Sequence, residues 1–144
     1  MSLRCLIGVT AALVLFAAAA PGARADGYVS IEQYGSSNGA AGSQRGFRNR
    51  LTIHQDGAGN SAHHQQYGDF NRHVTGQSGT GHYARGYQSG HGNISGVAQF
   101  GYGHRAVTSQ DGHGNAVGVI QAGRGNTANA RQIGAGNVSV IIQD

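Results

Sequence analysis

Glutamine recurs at every eleventh position along most of this chain, and this period constrains the fold more than any other feature. The series begins at Gln33 and ends at Gln143 without a missing member. A glycine follows two residues after each of the first ten glutamines, and an asparagine or histidine follows five residues after. Because the phrase Q-x-G-x-x-N keeps its register over more than a hundred residues, it indicates a tandem structural repeat.

The repeat defines two sets of positions with predicted structural roles. A glycine near the middle of each turn supplies a positive φ without a Cβ clash, so the predicted turn glycines are Gly35, Gly46, Gly57, Gly68, Gly79, Gly90, Gly101, Gly112, Gly123 and Gly134. The predicted structural ladder consists of Gln33, Gln44, Gln55, Gln66, Gln77, Gln88, Gln99, Gln110, Gln121, Gln132 and Gln143, with Asn38, Asn49, Asn60, Asn71, Asn93, Asn115, Asn126 and Asn137. His82 and His104 stand at the two remaining asparagine positions.

The seven residues from each asparagine to the next glutamine have the alternating character of a strand. Side chains alternate between the two faces of a strand, so the asparagine, the second and fourth residues after it, and the glutamine share one face. That face is mostly small or apolar, as at Leu51 and Ile53, and it carries no Arg, Asp or Glu. A wrong register would mix charges over both faces, so this exclusion independently supports the assignment.

An eleven-residue strand-turn unit predicts an all-β fold, a β-solenoid with two strands per 22-residue turn and about five turns, cross-β when polymerised. Identical residues then stack in columns, and Gln and Asn side chains can form amide ladders that satisfy their own polar groups. Charge exclusion from one face disfavours a disordered Gly/Gln/Asn-rich chain, and the glycines disfavour a helix. A flat eleven-strand meander remains an alternative.

Composition divides the chain into two parts. Residues 1–25 read as a secretory signal peptide, because Arg4 precedes an apolar run and Ala23-Arg24-Ala25 matches a cleavage pattern. The alternative, a membrane anchor, needs about 20 apolar residues, more than this run supplies. Residues 26–144 form the repeat domain, which has eight arginines and six acidic residues and therefore a net charge of +2 with neutral histidine.

The repeat domain excludes several function classes. It contains no Cys, so a disulfide or a thiolate metal site is not expected, and its small net charge argues against nucleic-acid binding. No G-x-S-x-G or H-E-x-x-H motif occurs, so we expect no enzyme and no catalytic, cofactor-binding or metal-binding residues. The eight histidines are interpreted as ordinary polar residues. A pH-sensitive role stays open for the stacked pairs His82/His104 and His91/His113, since neighbouring imidazoles resist double protonation.

The extended phrase Q-x-G-x-x-N-x-A-x-x-x-Q, seen from Gln121 to Gln132 as QAGRGNTANARQ, resembles the curlin repeat. Curlin repeats build the subunits of curli, the functional amyloid fibres (fimbriae) on bacterial surfaces. The resemblance covers nearly all of residues 26–144 and so marks them as a curlin-like repeat domain. It implies a secreted subunit whose extracellular fibre supports cell adhesion and biofilm matrix. The implied partners are further copies of the chain, another curlin subunit and an outer-membrane export system.

The ends of the predicted solenoid also favour a polymer. Edge strands are normally protected by Pro, Lys or a bulge, and residues 26–144 contain neither Pro nor Lys. The segment 137–143 is the most apolar repeat, and it presents Val138, Val140 and Ile142 outward as the predicted assembly edge. Two other functions stay open: a minor nucleator subunit of such fibres, and a monomeric β-solenoid that binds carbohydrate or ice.

Overall fold

A computed structural model describes residues 26–144, and the predicted signal peptide at residues 1–25 lies outside the described residues. The described chain contains strands and no helix, so it has no helix that could cross a membrane. The strands are β1 (Tyr28–Ser36), β2 (Gly39–Arg45), β3 (Arg50–Ala58), β4 (Ser61–Asp69), β5 (Arg72–Thr80), β6 (Tyr83–His91), β7 (Ile94–Tyr102), β8 (Arg105–His113), β9 (Ala116–Arg124), β10 (Thr127–Ala135) and β11 (Val138–Gln143).

The strands alternate between two parallel sheets. The odd sheet has six strands in the order β1-β3-β5-β7-β9-β11, and the even sheet has five in the order β10-β8-β6-β4-β2. Paired residues are 22 apart throughout, as in Gln55 beside Gln77. Two consecutive strands therefore complete one coil, which confirms the predicted β-solenoid of about five turns. The meander is excluded, because its neighbouring strands would be antiparallel.

Most strands span nine residues, as in β3, rather than the seven expected from the asparagine-to-glutamine spacing. They extend because the glycine after each glutamine still pairs with the glycine of the next coil, as Gly57 does with Gly79. Gly57 has a φ of 123°, and a Cβ added there would lie 1.9 Å from the carbonyl oxygen of Gly79. Only glycine permits this close approach, so the glycine columns set the spacing between coils at the corners.

The interior contains two apolar clusters separated by polar residues. The first cluster consists of Ala40, Leu51, Ile53 and Ala62, with Ile31 packed against it. The second consists of Ala84, Val97, Ala106, Val119 and Ala128, with Ile141 packed against it. Between them lie the buried side chains of His64, His73 and Thr75, and within the coils of the second cluster buried Ser95 bonds to buried Thr108. The core is therefore interrupted by hydrogen-bonding groups in its middle coils.

Candidate assembly interface

The glutamines form a continuous column of side-chain hydrogen bonds in each sheet. Gln55 Nε2 donates to Gln77 Oε1 at 2.7 Å, and its second hydrogen reaches the carbonyl of Gly39 at 3.1 Å. The same inter-glutamine bond occurs nine times in the described residues, with lengths from 2.6 to 2.9 Å. Each interior amide thus donates along the axis and across to the other sheet, which satisfies a group that would be costly to bury alone.

The asparagines bond mainly to backbone rather than to one another. Asn71 Oδ1 accepts the backbone N–H of Asn93 at 3.0 Å, while its Nδ2 donates to the carbonyls of Gly90 at 2.9 Å and Tyr67 at 3.1 Å. The side chain therefore holds its own turn and joins it to the following coil. The sequence predicts a side-chain ladder in both columns, but the shorter asparagine reaches corner backbone groups first. Among residues 26–144, only Asn115 and Asn137 also donate to an asparagine side chain.

His82 and His104 reproduce two of the three side-chain hydrogen bonds that Asn71 makes. His82 Nδ1 accepts the backbone N–H of His104 at 3.2 Å, and His82 Nε2 donates to the carbonyl of Ser78 at 3.1 Å. His104 makes the equivalent bonds to Asn126 and Phe100. The rings stack with centroids 5.1 Å apart and planes 1° apart. Because Nδ1 must accept, this corner column requires neutral imidazoles.

Burial lowers the pKa of His82 below 6.5, with a smaller lowering from neighbouring His104. Hydrogen bonds to the carbonyls of Ser78 and Gly101 partly oppose this shift by favouring the protonated ring. In the other predicted histidine column, His91 is paired with His113 along the even sheet at the coil surface, and Asp69 precedes them.

A second histidine pair lies inside the core. The 22-residue spacing alone does not reveal it, because the pair joins two different sheets. His64 of the even sheet faces His73 of the odd sheet, with ring centroids 3.8 Å apart. Thr75 Oγ1 lies 3.0 Å from His64 Nε2 and 3.1 Å from His73 Nε2. A hydroxyl has one hydrogen, so it donates to one ring and accepts from the other, and the two rings hold different tautomers.

Both Nδ1 atoms of this core pair lack a hydrogen-bond partner within residues 26–144. They converge on Gly86, where an added Cβ would lie 2.6 Å from His64 Nδ1 and 2.8 Å from His73 Nδ1. Burial lowers the pKa of His73 from 6.5 to about 3. Burial, reinforced by His73 and His63, also lowers the pKa of His64 well below 6.5. No group of three or more potential metal ligands occurs in this part of the chain.

The two ends of the solenoid expose complementary halves of the glutamine columns. At the end formed by β10 and β11, Gln132 and Gln143 donate across to carbonyls of Ala116 and Thr127, and neither has a following glutamine in the described chain. At the end formed by β1 and β2, Gln33 and Gln44 donate into the column, and no described residue donates to their Oε1 atoms. One end therefore offers amide hydrogens and the other offers amide oxygens.

The predicted assembly edge lies on β11, the last strand of the odd sheet. Val138, Val140 and Ile142 point outward and are 76%, 66% and 70% exposed. Between them, Ile141 points inward and packs on the second apolar cluster. The outer face of this strand is thus apolar, while the inner face completes the core.

Together, the parallel coils, the inward amide columns and the open ends define a class of protein: a β-solenoid whose interior is held by repeated polar ladders. Comparison with known families matches residues 26–57 to the curlin associated repeat. This match supports the predicted curlin-repeat protein, and the same 22-residue register continues from β1 to β11. No curated protein and no solved structure matches the chain.

Proposed function

We propose that the protein is a secreted structural subunit that polymerises into extracellular curli-like amyloid fibres, which serve surface adhesion and the biofilm matrix. The observation that carries this proposal is the complementarity of the two open ends. One end presents ladder amide hydrogens and the other presents ladder amide oxygens. A second copy of the chain is the partner that satisfies both, because it brings the same columns in the same register.

Stacking also removes a liability of the isolated coil. Each end has a strand from each sheet whose outer N–H and C=O groups face no neighbour in the described chain. Such edges are templates for pairing with another chain unless they are protected. Head-to-tail stacking converts edge strands into interior strands and propagates the spacing of about 4.8 Å between coils. The inward positions are occupied by ladder and packing residues, which supports a structural rather than an enzymatic role.

The direct test is assembly of the purified chain. We expect a lag phase, thioflavin fluorescence and fibre diffraction near about 4.7 and 10 Å, the two spacings of cross-β structure. Immunolabelling of intact cells should detect the fibre outside the cell. A product that stays soluble and monomeric at micromolar concentration would favour the alternative, a monomeric solenoid that binds carbohydrate or ice. A chain that only shortens the lag of another curlin subunit would instead indicate a nucleator.

The ladder is tested by comparing inward and outward substitutions at the same end of the solenoid. Gln121→Ala removes the bond to Gln143, and Asn126→Ala removes the bond to the carbonyl of Ala122. Each leaves partners unpaired, at a cost of about 1–3 kcal/mol per buried group, so both should slow assembly. Thr127→Ala and Asn129→Ala, on the outer face of β10, are the matched controls, and equal rates in all four variants would contradict the ladder role.

The assembly edge is tested by charge. Val140→Lys combined with Ile142→Lys should lengthen the lag severalfold, because two cations then replace apolar side chains on the outer face of β11. Gly96→Lys combined with Ala98→Lys places the same charge at the same outward columns of β7, an interior strand of that sheet, and controls for net charge. A peptide of residues 137–144 should assemble alone and one of residues 71–77 should not. An unchanged lag and better seeding by peptide 71–77 would refute this edge.

A further inference from the structure

The two ends of the described solenoid do not match sheet for sheet. One end exposes β1 of the odd sheet and β2 of the even sheet, and the other exposes β11 of the odd sheet and β10 of the even sheet. Strands alternate between sheets along the chain, so eleven strands begin and end in the same sheet. The strand position that follows β11 along the coil therefore lies in the even sheet, beside β10.

We propose that successive subunits in the fibre are rotated by half a turn about the fibre axis, so that β1 of the next subunit pairs with β10 and its β2 pairs with β11. This inference rests on the proposed fibre function and specifies its junction. A half-turn exchanges the two sheets and reverses strand direction in the plane, so all pairing stays parallel. Stacking without rotation places β1 beside β11 and leaves the position beside β10 empty, with unpaired backbone groups at every junction.

The rotated junction continues both glutamine columns. Applying the 22-residue register across it places Gln132 Nε2 against Gln33 of the next subunit, and Gln143 Nε2 against Gln44. The amide hydrogens of one end then meet the oxygens of the other. Inside the coil, Ala130 lies beside Ile31 of the next subunit, so a half-buried side chain of β1 gains an apolar neighbour.

The outer faces distinguish the two junctions by charge. In the rotated junction, exposed Arg131 of β10 lies beside exposed Glu32 of the next subunit, and Ile133 lies beside Tyr34. Within residues 26–144 of one subunit, the basic side chain within 4 Å of the Glu32 carboxylate is that of His54, at 3.4 Å. Without rotation, Glu32 would lie beside Ile142, and Arg131 would border the empty position. The rotated junction therefore pairs opposite charges that the unrotated junction separates.

Cysteine pairs can report which strands meet. Every variant carries Cys5→Ser, so that the introduced thiols are the only ones. Ser30→Cys with Asn129→Cys places two outward thiols on neighbouring strands in the rotated junction, and Ser30→Cys with Val140→Cys does so in the unrotated junction. Neighbouring parallel strands place Cα atoms about 4.8 Å apart, within the range that a disulfide spans. Fibres of each full-length variant are oxidised, dissolved in denaturant and separated without reductant.

We expect covalent multimers from the Ser30/Asn129 pair and monomers from the Ser30/Val140 pair. The reverse result would overturn the half-turn, and so would fibres in which neither pair links. If the Cys5→Ser parent forms no fibres, the proposed function itself fails, which is a different result from fibres with the wrong links.

A charge exchange gives a second readout that needs no covalent bond. Glu32→Arg alone and Arg131→Glu alone should each slow elongation severalfold, because each places like charges side by side at every junction. The double variant restores an opposite pair and should elongate within about twofold of the parent. Absence of this rescue, with both single variants slow, would contradict the rotated junction.

Discussion

The core histidine pair and the corner histidine column contain the same side chain, and in both the ring is inaccessible to solvent. They differ in how many ring nitrogens have a hydrogen-bond partner. His82 and His104 use both ring nitrogens, because each accepts a backbone N–H and donates to a carbonyl. His64 and His73 share one threonine hydroxyl and leave both Nδ1 atoms without a described partner. The corner column thus substitutes for asparagine in the repeat, whereas the core pair interrupts the apolar interior.

The difference shows that the position within the coil, and not burial alone, decides how much folding free energy a buried histidine costs. At the corner the strand ends supply backbone donors and acceptors at fixed positions, so an imidazole can replace an amide. In the middle of a coil the backbone groups are already used by the sheet, and a polar side chain must find other side chains. We therefore expect the core pair to dominate the acid sensitivity of the protein.

The largest expected effect is on pH dependence. A histidine whose folded pKa is depressed stays neutral in the folded state while the unfolded chain takes up a proton below about pH 6.5, so stability falls as pH drops through that value. From pH 7 to pH 5 this amounts to about 2 kcal/mol for His73, and His64, whose pKa is lowered in the same direction, adds to the loss. The loss continues down to the folded pKa, which is about 3 for His73.

The measurement is the guanidinium midpoint at pH 7 and pH 5, followed by far-UV circular dichroism. The variant His64→Thr with His73→Leu places in the core the residues found at equivalent column positions, Thr108 and Leu51, and should lose most of this pH dependence. His82→Asn with His104→Asn is the control and should keep most of it. If the control loses the pH response and the core variant keeps it, the comparison is wrong.

A smaller effect is expected from filling the space between the two core rings. Gly86→Ala would place a methyl carbon 2.3 Å from His73 Cε1, so the rings must shift. Overpacking of this kind costs about 1–3 kcal/mol. Gly96→Ala is the matched control, because a Cβ there meets no atom within 4 Å. Equal guanidinium midpoints for the two variants at pH 7 would show that the two rings can accommodate the methyl group, contrary to the short distances.

The smallest effect is expected at the corner. His104→Asn restores the repeated residue, and an asparagine there can bond to the Asn126 N–H and the Phe100 carbonyl as the imidazole does. We expect a change in unfolding free energy of less than about 1 kcal/mol at pH 7, since the asparagine can replace both hydrogen bonds of the imidazole. His104→Leu, which keeps the volume but removes both bonds, should be clearly less stable. Equal stability of the Asn and Leu variants would deny the bonding role of the corner column.

The sequence period predicts the contacts that recur in every coil, but it does not predict a contact that occurs once. The register of Gln55 with Gln77 follows from spacing alone, because strand pairing joins residues one full coil apart. The contact between His64 and His73 does not, because it joins two sheets and depends on how far one sheet is staggered along the axis relative to the other. The alternation placed both residues on the inner face, but only three-dimensional packing brings the rings together.

Strand length was underestimated for a related reason. Gly57, two residues after Gln55, predicts a turn, because glycine inside a strand often marks a bulge or a bend. In a stack of identical glycines the backbone can still pair, and the Gly57–Gly79 column extends the sheet. A single repeat carries no sign of this behaviour, because it arises only from the neighbouring coil.

The invariant 22-residue pairing limits how the length of this protein can change over evolutionary time. Loss or gain of 22 residues removes or adds one complete coil and leaves every later side chain in its own column. A change of eleven residues also keeps glutamine over glutamine, but it moves all later strands into the opposite sheet and would pair Tyr67 with Ser78 in place of Ser89. A change that is not a multiple of eleven shifts every later glycine away from the carbonyl that excludes a Cβ. Insertions and deletions in such a chain are therefore expected to come in whole repeats, and duplication of repeats is the way in which it can lengthen.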